Sequence, residues 1–207
     1  TIPIALRQIN LQEITFRIVG TSPLIQHAWA EKGLRQMRMT KQERSLDKKQ
    51  NPPSARDPET EAEAAMHRMA DGAYAVPVTA IKASIITAAH KDLGCEKTAV
   101  RKALFLKSGP DKLVRMECSE PWVREDIVRV GMGSTDLRYR PQFDRWEVQL
   151  EAIVDADILS PDVLANLIER AGFGCGIGEW RPERGGDNGR FELDRKFGMQ
   201  SVKARAK

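Results

Sequence analysis

Cysteine is scarce in this chain. Cys95, Cys118 and Cys175 are odd in number, widely spaced and without a CxxC pair. That arrangement supports neither a disulfide framework nor a zinc site, and a reducing cytoplasm is the setting it suggests. Histidine is as rare, at His27, His67 and His90. No apolar run approaches the roughly 20 residues that span a bilayer, and the first residues lack the basic-then-apolar order of a leader, so no membrane role is expected. Paired carboxylates at metal spacing are missing. Asp155 and Asp157 share a strand end without a nearby third ligand, and no metal or other cofactor is expected. Neither internal repeats nor low-complexity blocks are visible. At 207 residues, 41% hydrophobic and 30% charged, what remains is the composition of one generous globular domain, or of a core with a large insertion.

Glycine and positive charge, by contrast, are concentrated. Ala171–Leu193 (AGFGCGIGEWRPERGGDNGRFEL) gathers seven glycines around Arg181, Arg184 and Arg190. Glycine adopts positive φ freely and leaves no Cβ between backbone and ligand, so such a loop can aim main-chain N–H groups at a phosphate while arginines neutralise it. A packing loop that closes the fold around Trp180 and Phe191 is the competing reading. Nucleotide binding of the dinucleotide-fold type is excluded, because here the helix precedes the glycines. Lys32–Arg56 carries eight basic residues, among them Lys32, Arg35 and Arg38, against Glu43 and Asp47, for a local net charge of +6. Arg195–Lys207 adds five basic residues and no acid. Two concentrated positive regions suit a polyanionic partner.

Apolar periodicity places the elements. Glu13–Val19 alternates as a half-buried strand, ended by Gly20-Thr21-Ser22-Pro23. Ala80–Lys91 repeats Ile81, Ile85, Ala88 and Ala89 at helical spacing, with Thr79 as its expected N-cap. Phe105-Leu106, Leu113–Cys118 and Ile127–Gly131 read as short strands, followed by a loop holding Gly133 and Arg138-Tyr139-Arg140 before Pro141. Trp146–Val154 alternates cleanly. Ser160 and Pro161 open a helix that Gly172 is expected to stop, and Arg190–Leu193 forms the last strand. With the middle strands grouped, the order is β-α-β-β-α-β. That is an α+β, ferredoxin-like (RRM-like) plan, with a long, partly helical insertion after the first strand. Residues 1–25 and 74–194 are then the core, 26–73 the insertion, and 195–207 a basic, flexible tail.

Three separated segments resemble the RAMP superfamily of CRISPR-associated proteins. Thr15–Leu24 (TFRIVGTSPL) is similar to its first strand and Gly-x-Ser-Pro-Leu turn, Val76–Ala89 (VPVTAIKASIITAA) to its Pro-x-Ser-x-Lys-Gly-x-x-Arg helix start, and Ile177–Leu193 to its C-terminal glycine-rich loop. The chain departs from the pattern at Ala83, at His90 and at Ile25-Gln26-His27, where His-x-Gly is common. The resemblance is greatest to the backbone subunits of multi-subunit effector complexes. It implies a non-catalytic protein that polymerises along a guide (CRISPR) RNA and presents it to a target nucleic acid in antiviral defence. It further implies a ferredoxin-like palm, head-to-tail association of copies in a helical filament and other effector subunits as partners.

The RNA-binding candidates are Lys82 on the first helix, Arg138 and Arg140 flanking Tyr139, and, in the glycine-rich loop, Gly176, Gly178, Trp180, Arg181, Arg184, Gly185, Gly186 and Arg190. To these the insertion adds the basic stretch around position 33, represented by Lys32, Arg35 and Arg38. A basic-aromatic-basic patch binds single strands. Two other classes stay open. In the first, a metal-independent guide-processing endoribonuclease, His27 would deprotonate a 2′-hydroxyl. The second is a single-strand-binding or annealing protein of a mobile element. Asp47 or Asp57 is a further candidate for cutting target RNA.

Overall fold

The computed structural model describes residues 8–28, 35, 37–40, 43, 56–130 and 133–203. The core sheet grows from two ten-residue strands with strict two-residue periodicity. β1 (Leu11–Gly20) buries Ile14, Phe16 and Ile18. β9 (Trp146–Asp155) buries Trp146, Val148, Leu150, Ala152 and Val154, and pairs antiparallel with β1, Phe16 opposite Leu150 and Ile18 opposite Val148. Opposed residues share a face, so the register lines the buried apolar side chains of both strands up on one side.

Two helices cover that side. α2 (Val78–Leu93) contributes Ile81, Ile85, Ala88 and Ala89, and α4 (Pro161–Arg170) contributes Leu164, Leu167 and Ile168 to the same core cluster. The short strands β4 (Leu104–Leu106) and β10 (Phe191–Leu193) complete the sheet in the order β10-β1-β9-β4, all antiparallel. Along the chain this is β1-α2-β4-β9-α4-β10. Spatial order and connectivity are those of the ferredoxin-like α+β fold.

The elements between β1 and α2, and between β4 and β9, build a second layer. β2 (Leu24–Ile25), β7 (Trp122–Val130) and β8 (Ser134–Phe143) form a three-stranded sheet in the order β2-β8-β7, with α1 (Pro58–Ala64) against β7 and β8. β3 (Ala75–Pro77) pairs with β5 (Leu113–Arg115), and the two-residue β6 (Glu117–Cys118) pairs with β9. α3 (Lys97–Ala103) leads into β4.

Several expectations are corrected. Arg138-Tyr139-Arg140 is not a loop but the middle of β8. Pro141 lies just beyond Gln142 and Phe143, the only β8 residues that β2 pairs, so its missing N–H breaks no ladder on that side. Thr79 does not cap α2. β3 runs straight into the helix, and the Val78 N–H donates to the Lys112 carbonyl at 2.9 Å. Gly172 does not stop α4. The chain continues through a π-helical turn, Ala171–Cys175, and turns out at Gly176, φ +67°. Gly172 is there for another reason, because a Cβ would overlap the Phe191 carbonyl oxygen. Leu113–Cys118 breaks into two strands at the buried Met116. The tail expected to be flexible carries β11 (Gln200–Lys203), paired with Gln12–Thr15 of β1. Residues 204–207 lie outside the described residues.

Candidate nucleic-acid interface

The glycine-rich loop docks on the turn after β1, 150 or more residues earlier in the chain. The Gly189 N–H donates to the Pro23 carbonyl at 2.7 Å, Arg190 N–H to Ser22 Oγ at 2.9 Å, and Thr21 N–H to the Arg190 carbonyl at 2.9 Å. The Glu179 N–H donates to the Ile25 carbonyl at 3.0 Å, and Trp146 Nε1 secures the Ser22 carbonyl. The close fit explains the glycines. A Cβ at Gly178 would meet the Ile25 carbonyl oxygen, at Gly186 the Trp180 carbonyl, and at Gly189 the Ile177 carbonyl. Amide after amide is spent internally, those of Gly176, Ile177, Gly185, Gly186 and Asn188 included. Those amides are taken up within the fold and are not the main-chain donors that the sequence led us to expect for a phosphate, so it is the loop's side chains that distinguish its outer surface.

Those side chains divide sharply. Arg181 is held inward, Nη1 donating to the Gly178 carbonyl at 2.9 Å and Nη2 paired with Glu183 at 3.2 Å. Burial opposes the Glu183 charge, but Arg181 and Lys91 keep its carboxyl below the usual range. Arg190 Nε is buried without a partner. Arg184, on the 3-10 turn Pro182–Arg184, is exposed, as is Gly185. Trp180 is 44% exposed and held at φ +52°, a strained conformation for a non-glycine residue. An exposed, strained aromatic beside an exposed arginine is what a stacking contact to a single strand needs.

Next to this loop the structure gathers three sequence candidates from two elements. His27 follows β2, and Arg138 Nη1 lies 3.5 Å from its Nε2. Arg140, two residues along the same face of β8, is only 3% exposed. Its Nη1 pairs with Asp126 of β7 at 3.4 Å and its Nη2 reaches Glu179 at 3.9 Å, while its Nε has no partner. Asp126 also takes Arg124 at 2.7 Å. Burial, then the Arg140 and Arg138 charges, lower the His27 pKa below 6.5, with Glu179 acting the other way. Glu179, Asp126 and Arg124 escaped the sequence reading. The alternation Arg124-Asp126 was a signal, but a polar alternation has no visible partner until β8 is placed opposite.

The remaining candidates lie elsewhere or are otherwise engaged. Lys82 sits nine residues, about 13 Å of helix, before Lys91, which meets the loop at Glu183. Its Nζ lies 4.7 Å over the Phe105 ring and donates to the Arg101 carbonyl, and burial followed by Arg101 lowers its pKa. In the basic stretch of the insertion, Arg35 and Arg38 are exposed. Position 33 itself is Gly33, so the positive charge of that stretch is carried by Lys32, Arg35 and Arg38. Gly33 and Lys32 both lie outside the described residues. Arg56 is engaged by Glu61 and Asp136 at 2.8 and 3.0 Å. Asp57 is the N-cap of α1, accepting from Thr60 N–H; Asp47 lies outside the described residues.

The sheet face opposite α2 and α4 is a poor platform for bases. It carries Glu13, Glu147 and Glu151, tied to Arg17 and Lys107, and Arg17 covers the Phe197 ring at 4.8 Å. A cleft of about 500 Å³ beside it reaches Cys118, but burial, aided by Glu120, pushes that thiol up to about 11, which leaves it unreactive. Among the described residues no His, Cys, Asp and Glu cluster could hold a metal, and no helix is long and apolar enough to cross a membrane.

No family model and no curated protein matches the chain. Among solved structures it is similar to a chain in the cryo-EM structure of the type III-B Cmr-beta bound to cognate target RNA, at TM-score 0.48 and 11% identity, covering 95% of this chain and 62% of that one. It is also similar to Cmr6 from Pyrococcus furiosus in its crystal structure, at TM-score 0.41 and 13% identity over 89% of this chain and 99% of that one. This chain thus spans less than two thirds of the first of these.

Proposed function

We propose that the protein is a non-catalytic, cytoplasmic RNA-binding subunit of a CRISPR effector complex, and that copies of it associate head to tail along a guide RNA and leave its bases free for a target. The observation that carries this reading is convergence. The turn Ser22-Pro23-Leu24, the glycine-rich loop and α2 are remote in sequence and each resembles the RAMP pattern. The first two meet at one end of a ferredoxin-like fold, through the Pro23–Gly189 and Ser22–Arg190 contacts, and α2 reaches the loop from its far end, through Lys91 and Glu183. Beside that junction stand an exposed tryptophan, an exposed arginine and the His27–Arg138–Arg140 group. Contacts of this kind grip a phosphate backbone and stack single-stranded bases without reading sequence. Purifying the protein from its host and sequencing what accompanies it tests the reading. Short RNAs with a common repeat-derived end are expected. Heterogeneous DNA would point instead to a single-strand-binding protein of a mobile element, and specific cleavage of RNA in EDTA that His27→Ala abolishes would make the protein an endoribonuclease.

A further inference from the structure

We infer that a backbone phosphate of the bound strand is held by His27, Arg138 and Arg140, and that His27 takes up a proton as it binds. The inference rests on the RNA-binding reading and assigns one contact a proton-linked chemistry. Three groups able to carry positive charge stand together where the end of β2 crosses β8. Arg138 Nη1 stands 3.5 Å from His27 Nε2, a long contact in which a guanidinium, able only to donate, favours an imidazole without a proton at that nitrogen. Behind them Arg140 is almost fully buried, yet its two ion pairs are long, 3.4 and 3.9 Å, and its Nε is unpartnered. A buried guanidinium so incompletely neutralised is costly unless an anion completes the site.

Every charged group that faces the imidazole is accounted for. Arg138 and Arg140 come from β8, and Glu179 from the glycine-rich loop. Asp126 and Arg124 of β7 act only through Arg140, and Asp136 of β8, itself paired with Arg56, acts through Arg138, which it meets at 3.4 Å. With two arginines and burial against one carboxylate, the empty site holds the ring neutral near pH 7. A phosphodiester adds a negative charge at contact distance and reverses that balance. The ring then gains a proton and donates to the phosphate together with the guanidinium of Arg138.

The test uses the full chain and poly(U), whose bases do not titrate between about pH 8 and pH 5.5. Binding is measured across that range at fixed salt, and proton uptake by calorimetry in buffers of different ionisation enthalpy. Affinity is expected to rise as pH falls, approaching about tenfold per pH unit, the limit for one linked proton. His27→Gln should flatten the profile and abolish proton uptake, while His90→Gln leaves both intact. His27 is exposed, so the fold tolerates the change, and an unchanged melting curve at pH 8 checks this. Poly(U) binding with no proton uptake, or with uptake that survives His27→Gln, overturns the inference and leaves the RNA-binding reading standing. No binding at any pH overturns that reading and the inference with it.

Discussion

Trp180 and Arg184 are the residues on which the ligand-binding reading leans hardest, because each is placed against its own local interest. A non-glycine residue in the left-handed region stores about 1–3 kcal/mol, and Trp180 spends it to keep a large ring 44% exposed. Trp180→Gly should therefore leave melting unchanged or raise it, while RNA affinity falls by the worth of one stacked base, about 1–3 kcal/mol. A lower melting temperature with unchanged affinity would make the ring a packing anchor. The arginines separate in the same way. Arg184→Ala should reduce the salt dependence of binding by about one unit of slope without touching stability. Arg181→Ala should lower the melting temperature, because it takes the partner from the Gly178 carbonyl and leaves Glu183 with Lys91 alone.

At the level of elements, what could be read from sequence was what local rules decide. α4 was legible from Ser160-Pro161 onward, and Ser160 Oγ does accept from Val163 N–H; Ser160→Ala should cost about 1 kcal/mol, measurable by denaturant unfolding. β1 and β9 were legible because each buries a complete apolar alternation. β8 was not, since at its buried end the polar Arg140 and Gln142, met by residues of β7 and of the glycine-rich loop, alternate with Pro141 and Phe143 and leave no apolar stripe to read. The π turn after α4 was equally hidden, since Gly172 reads as a helix stop until the distant Phe191 carbonyl that it must clear is in place. The same holds for the candidate site. His27, Arg138 and Arg140 were each visible as residue types, but their meeting depends on β2 pairing with the far end of the hairpin Trp122–Phe143 (Leu24 opposite Phe143). β11 shares one edge of β1 with β10, so truncation after Phe197 should expose the Gln12–Thr15 edge. The expected result is a lower melting temperature and concentration-dependent association through the bared strand, seen by light scattering.

For the whole molecule, the two partly desolvated histidines tie stability to pH, and the ligand decides the sign. Burial lowers the pKa of His67, and burial with Arg140 and Arg138 lowers that of His27. The unfolded chain, with its imidazoles near 6.5, binds protons more readily than the folded one. Stability is thus fully present above about 6.5 and declines as pH falls through the unfolded value toward the lowered folded ones. The carboxylates held down by hydrogen bonds, Glu63 by Arg68 and Asp71 by the Ala73 N–H and then Arg115, act only in the more acidic range around and below their ordinary pKa near 4. A first loss of melting temperature between about pH 7 and pH 5.5 therefore belongs to histidine. His67→Gln should remove part of it and leave RNA binding unchanged. With saturating RNA the His27 share reverses, because there the folded, liganded state is the better proton acceptor, and binding stabilises by mass action more strongly at low pH. The gap between the liganded and free melting temperatures should therefore widen as pH falls, and should stay constant in His27→Gln. A gap that narrows on acidification would show that the strand is held without His27 and that the two histidines serve the fold alone.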